Sequence, residues 1–128
     1  MRDVTQKATV QFENNVRYAV TNAYQEQLFE GEVYVSIVTY MKILKSWSQK
    51  KQKMPQLGLL RPIHKPDCDN IIKSVLDGMN TVTKKDVIVK NGIYKDKNQV
   101  VEVRIRQFYS IRPRTKVVVL LNDRKKLI

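Results

Sequence analysis

His64-Lys65-Pro66-Asp67-Cys68-Asp69-Asn70-Ile71-Ile72-Lys73-Ser74-Val75-Leu76-Asp77 is the stretch on which the fold and the chemistry turn. Pro66 fixes its own backbone and disfavours helix at Lys65. Asp67 and Asp69 are therefore expected on extended chain, where residues two apart point to one side. Two carboxylates on one side repel unless a cation lies between them, and a divalent metal with oxygen ligands is the usual one. A helix is predicted directly after, over about Asn70 to Met79, with Asp69 or Asn70 as its N-cap. Ile71, Ile72, Val75, Leu76 and Met79 give it an apolar face. Lys73 stands about one turn in from Asp69, where its ammonium can lean toward the carboxylates or a bound phosphate. A plainer reading stands beside this one: a loop that caps a helix, with solvated acids and an exposed Lys73.

The chain around this stretch is basic. Its 24 Lys and Arg against 12 Asp and Glu leave a net charge of +12 over 128 residues. A small domain needs no such excess for solubility, and the simplest partner for it is a nucleic acid. Paired carboxylates set in positive surface suit phosphodiester cleavage, with the cations holding the backbone and a metal activating water. The length fits one domain, residues 1–128, and no apolar run is long enough to span a membrane. Cys68 is the one cysteine, so no internal disulfide forms, which fits a reducing, cytoplasmic compartment.

Outward from the centre, Val10, Phe12, Val16, Ala19, Val20, Ala23 and Leu28 predict one long helix from about Val4 to Phe29, ended by Gly31. Glu32 to Lys42 reads as a strand, central or covered on both sides. Ser46 is a candidate cap for a short helix that stops before Pro55. Met54 to Ile63 reads as a loop. Asn80 to Asn91 is either a small hairpin around Lys84-Lys85-Asp86 or a helix extension and loop, and Asn91-Gly92 is a turn signal. From Ile93 on, Val101, Val103 and Ile105 alternate with Glu102, Arg104 and Arg106, the pattern of a half-buried strand, with Asp96 in a turn before it. Val117 to Leu121 is a final strand. The fold class is α/β (α+β), a mixed sheet of about four strands with two main helices.

Two motifs carry a resemblance. Lys65-Pro66-Asp67-Cys68-Asp69-Asn70-Ile71-Ile72-Lys73-Ser74-Val75-Leu76-Asp77-Gly78, followed by Asp96-Lys97-Asn98-Gln99-Val100, is similar to the KPDxDNxxKxxxDxLNG and DDxQV pattern of the RusA family of Holliday-junction resolvases. The resemblance implies a homodimeric, Mg²⁺-dependent endonuclease, with Mn²⁺ as a substitute ion. Such enzymes nick four-way DNA junctions symmetrically, often in prophage-type recombination systems. Carried over, Asp67, Asp69 and Lys73 are the catalytic residues, and Asp67, Asp69 and Asp96 the metal ligands. Lys50, Lys51, Lys53, Arg61, His64, Lys65, Arg104 and Arg106 are candidate DNA-backbone contacts.

Three departures qualify the resemblance. Lys97 stands where the family pattern has its second acid, so an oxygen donor is replaced by an ammonium that can fill the metal position itself. Asn80 to Asn91 reads as an insertion between the motif halves. The chain also begins almost at its first helix, without the family's opening strand. The first departure leaves a second reading open: a non-catalytic junction- or nucleic-acid-binding protein.

Overall fold

The structure, a computed structural model, describes residues 4–64 and 66–123, with side chains from Thr9 onward. Helix α1 covers Val4–Ala23. It stops short of the expected Phe29 because the chain beyond it finds better backbone partners elsewhere. Tyr24 donates its hydroxyl to the Gln27 carbonyl at 2.7 Å. Phe29 N–H then donates to the Ile93 carbonyl at 2.9 Å, and Phe29 bridges Tyr94 in parallel. The Gln99 side chain donates to the carbonyls of Phe29 and Gly31, which fastens the same crossing.

Strand β1, Glu32–Lys42, is the centre of a three-stranded mixed sheet. It pairs in parallel with β4, Val100–Ser110, and antiparallel with β5, Arg114–Asn122. Val33, Val35, Ile37 and Thr39 are buried on its inner face, as the period of two requires. The remaining strands, β2 (Val82–Lys84) and β3 (Val87–Lys90), form a separate antiparallel hairpin, so the main sheet has three strands where about four were expected. Lys85 and Asp86 both have positive φ, which makes them the two-residue turn of that hairpin. Asn91-Gly92 is no turn. Gly92 is needed for close approach, since a Cβ there would lie 2.3 Å from the Met79 carbonyl oxygen. The β4 strand starts only at Val100, after a 3₁₀ turn over Lys97–Gln99. Its pairing skips Val101 between Val33 and Tyr34, so this valine sits in a bulge and is exposed rather than inward.

Helix α2, Gln49–Lys53, is capped by Ser48 rather than by Ser46, and a 3₁₀ turn over Met54–Leu57 follows it. Trp47 packs edge-on to Tyr109 with ring centroids 4.9 Å apart.

Helix α3, Cys68–Met79, lies with α1 against the sheet's inner face. Its buried residues Ile71, Ser74, Val75, Gly78 and Met79 follow the i, i+3, i+4, i+7, i+8 stripe. At Gly78 the two helices touch: a Cβ would lie 2.9 Å from the Glu13 carbonyl and from Val16 Cβ. Arg17 of α1 clamps the far end of α3. Its guanidinium donates to the carbonyls of Asp77 (2.7 Å), Asn80 (2.6 Å) and Asn91 (2.7 Å). The first two lie at the helix C-terminus, where a cation is favoured, and the Asp77 carbonyl also accepts the Asn80 N–H. Tyr94, fully buried, donates to the Leu76 carbonyl at 2.6 Å. Among the described residues no helix is long and apolar enough to cross a membrane.

Candidate functional site

The acidic stretch folds as a helix start: Asp67 keeps the expected extended backbone, whereas Asp69 is already helical. Helix α3 begins at Cys68, and Asp67 is the N-cap in place of the expected Asp69 or Asn70. Its Oδ1 accepts the Asn70 N–H at 3.0 Å. Asp69 lies in the first turn, where its charge meets the positive end of the helix dipole. Proline before the cap and a carboxylate at the cap explain the start physically: Pro66 cannot donate a backbone bond, and Asp67 satisfies an orphan N–H. Both acids and Lys73 are exposed, and Asp77 is half-buried. Asp69, Lys73 and Asp77 follow at spacings of four along α3, so they form one stripe of alternating charge.

Lys97 completes that stripe from outside the helix. Its Nζ lies 2.6 Å from Asp77 Oδ1, an ion pair between the 3₁₀ turn and α3. Asp77 was absent from the expected ligand set, although it is the last acid of the first motif. The helical spacing from Asp69 was the signal that finds it. Asp96, the expected third ligand, instead caps the Lys97–Gln99 turn. Its Oδ1 accepts the Asn98 N–H at 2.8 Å, and the Gln99 side chain accepts the Asp96 N–H at 3.2 Å.

Among the described residues no group of three or more His, Cys, Asp and Glu side chains is placed to hold a metal ion. Asp96 therefore does not join Asp67 and Asp69 in a three-carboxylate cage. No cage of three ligands is preformed among the described residues, and the Asp77 carboxylate is already taken by Lys97. The side chain at position 97 is the one that comes to the acid stripe from across the fold, and it brings a positive charge.

The expected DNA contacts fall in two places. Lys50, Lys51 and Lys53 are exposed on α2, with Lys51 Nζ 4.4 Å from the Trp47 ring centre. Arg104 and Arg106 are exposed on the outer face of β4, and Arg104 pairs weakly with Glu102 at 3.5 Å. Arg61 lies at the β4 edge, where its Nε donates to the Gln107 carbonyl at 2.6 Å. His64 is exposed in the loop before α3, and Lys65 lies outside the described residues.

Two comparisons bear on this arrangement. Residues 2–120 match the family Endodeoxyribonuclease RusA. The chain belongs to the RusA endodeoxyribonuclease family. RusA-family proteins are nucleases that act on Holliday junctions and are generally metal-dependent. The chain is also 34% identical over 110 residues to a protein described as uncharacterized, YqaN of Bacillus subtilis (strain 168), a match covering 84% of this chain and 70% of the relative. No solved structure matches.

Proposed function

We propose that this RusA-family chain binds four-way DNA junctions as a homodimer, and that strand cleavage is withheld while Lys97 holds Asp77. Family membership and the net charge of +12 support the first half. The 2.6 Å contact between Lys97 and Asp77 carries the second. The ammonium does for the acid stripe what a bound cation would otherwise do: it offsets the carboxylate charge, and it repels a second cation from the same place. In a cleaving form Asp67 and Asp69 supply the reactive carboxylates, and Lys73 stabilises charge on the phosphate or the leaving oxygen. Mg²⁺ is the expected cofactor of a form that carries an acid at position 97.

The test pairs binding with cleavage. A labelled four-way junction and a linear duplex of matching sequence are mixed with the protein and with Lys97→Asp, in Mg²⁺ and in chelator. The expected result is a selective shift of the junction by both proteins, with Mg²⁺-dependent nicking by Lys97→Asp alone. A calorimetric Mn²⁺ titration should show a site in Lys97→Asp and none in the parent. Nicking by the parent protein would overturn the inhibitory role of Lys97. Equal shifts of junction and duplex would overturn junction recognition.

A further inference from the structure

The outer face of the sheet carries a row of planar groups that the sequence did not announce. Tyr40 on β1 is paired with Phe108 on β4 and Arg114 on β5, so the three side chains stand abreast on one face. The Tyr40 and Phe108 rings are 6.0 Å apart and inclined by 27°. Arg114 Cζ lies 3.9 Å from the centre of the Tyr40 ring, and Arg61 Cζ lies 4.1 Å from the centre of the Phe108 ring. The order across the sheet is thus Arg114, Tyr40, Phe108, Arg61. Arg106 and Lys116 stand beside the row, each with its charge 5.9 Å from a ring centre.

The two outer guanidiniums are held in place by more than the rings. Arg114 Nη1 donates to the Arg112 carbonyl at 2.8 Å, and Arg61 Nε donates to the Gln107 carbonyl at 2.6 Å. Each retains further N–H donors, because a guanidinium has five. The acids at strand positions on this face are Glu32, which accepts from Tyr34 and Asn122 at the far end of β1, and Glu102, which pairs with Arg104. Two mounted guanidiniums and two further cations beside them, none in an ion pair among the described residues, suit an anionic ligand of similar spread.

The row lies opposite α3. Gln107, next to Phe108 in the strand but paired with the buried Thr39, points to the inner face and donates its side-chain N–H to Cys68 Sγ at 2.9 Å. Cys68 is the first residue of α3 and sits between Asp67 and Asp69. We infer that the Arg114–Tyr40–Phe108–Arg61 row is a phosphate track that holds one DNA strand along the outer face of the sheet. This inference rests on the DNA-junction reading above and adds four residues to it: Tyr40, Phe108, Arg114 and Lys116. The rings keep the guanidiniums upright and lower the entropy lost on binding. Backbone contacts of this kind position a strand and read no sequence.

The experiment measures junction affinity over a range of salt concentrations for the parent, Arg61→Gln/Arg114→Gln, Tyr40→Leu/Phe108→Leu, and a hairpin control, Lys84→Gln/Lys90→Gln. The arginine pair should weaken binding by about tenfold or more and reduce the salt slope by about two, one per lost phosphate contact. The ring pair keeps the charges, so it should weaken binding by about threefold to tenfold with a nearly unchanged slope. The hairpin control, with the same change in charge, should lose less than the arginine pair. Arg61→Lys/Arg114→Lys should restore the slope but not the full affinity, because ammonium groups do not stack as guanidiniums do. A parent that binds junctions while the arginine pair keeps its affinity and slope would overturn the track and leave the junction reading standing. Equal losses from the arginine and hairpin pairs would also overturn it. A parent that binds no junction would instead overturn the junction reading.

Discussion

The two ends of α3 are built on opposite plans. At its start, Asp67 and Asp69 are exposed, and among the described residues neither meets a cation. At its finish, Gly78 and Met79 are buried, Arg17 grips the carbonyls, Tyr94 grips another, and Asp77 holds Lys97. One end is fixed by the fold, and the other is left open to a ligand. A rigid helix carries that fixity along its length, since i to i+4 hydrogen bonds leave it little freedom to bend. The clamp at the finish therefore sets where the acids at the start are presented, although it touches neither of them.

Breaking the clamp should have the largest effect. Arg17→Met removes three charge-assisted bonds and leaves helix-terminal carbonyls short of a partner. The expected loss is about 3 kcal/mol, read from denaturant unfolding. If stability instead falls by less than about 0.5 kcal/mol, water replaces the guanidinium freely and the finish is no more fixed than the start.

Tyr94→Phe is the next step down, at about 1–2 kcal/mol for one lost bond to a carbonyl left behind. It also has a signature in pH. The Tyr94 hydroxyl is raised well above the ordinary phenol value, first by burial, then by the nearby Asp77 charge, with Arg17 opposing. A raised phenol favours the folded state only while it stays protonated there and in the unfolded chain. Its contribution is full below the unfolded value of about 10 and is lost as pH rises above that. The parent should lose stability steeply above about pH 10, and Tyr94→Phe should show a shallower alkaline fall. Parallel falls in the two proteins would place the alkaline sensitivity elsewhere.

How much of this was legible in the sequence follows the range of the interactions. Strand β1 was readable because its alternation is local and β-branched side chains fill it. The hairpin was readable as one of two options, and the positive-φ turn at Lys85 and Asp86 decides between them. The extent of α1 was not readable beyond Ala23, since its end is set by Tyr94 and Gln99, about 70 residues away in sequence. Asp67 has the expected extended backbone, which is also that of an N-cap; the expectation fails at Asp69, where the helix has already begun, because Pro66 restricts Lys65 before it and not the residues after. The acids were legible as a motif, but their partners were not. Nothing in the spacing of Asp96, Lys97 and Asn98 says that residue 97 turns to α3 while residue 96 turns to its own backbone. The aromatic row escaped for the same reason, because Tyr40, Phe108 and Arg114 become neighbours only through strand register.

The smallest effect is the one that separates the two acids at the open end. Asp67→Ala removes the cap of α3 and should cost about 1 kcal/mol. Asp69→Ala loses only a favourable charge in the first turn, about 0.3–1 kcal/mol at low salt and less at high salt. The two substitutions are thus unequal in stability, while a role for both acids at a reacting phosphate makes them equal in chemistry. Measured in the Lys97→Asp background, both should abolish nicking, with Asp67→Ala alone showing a salt-insensitive drop in thermal stability. Nicking that survives Asp67→Ala but not Asp69→Ala would mean that Asp67 is a cap and nothing more. The open end of α3 would then hold one functional acid, and the contrast between its two ends would be less than the motif implies.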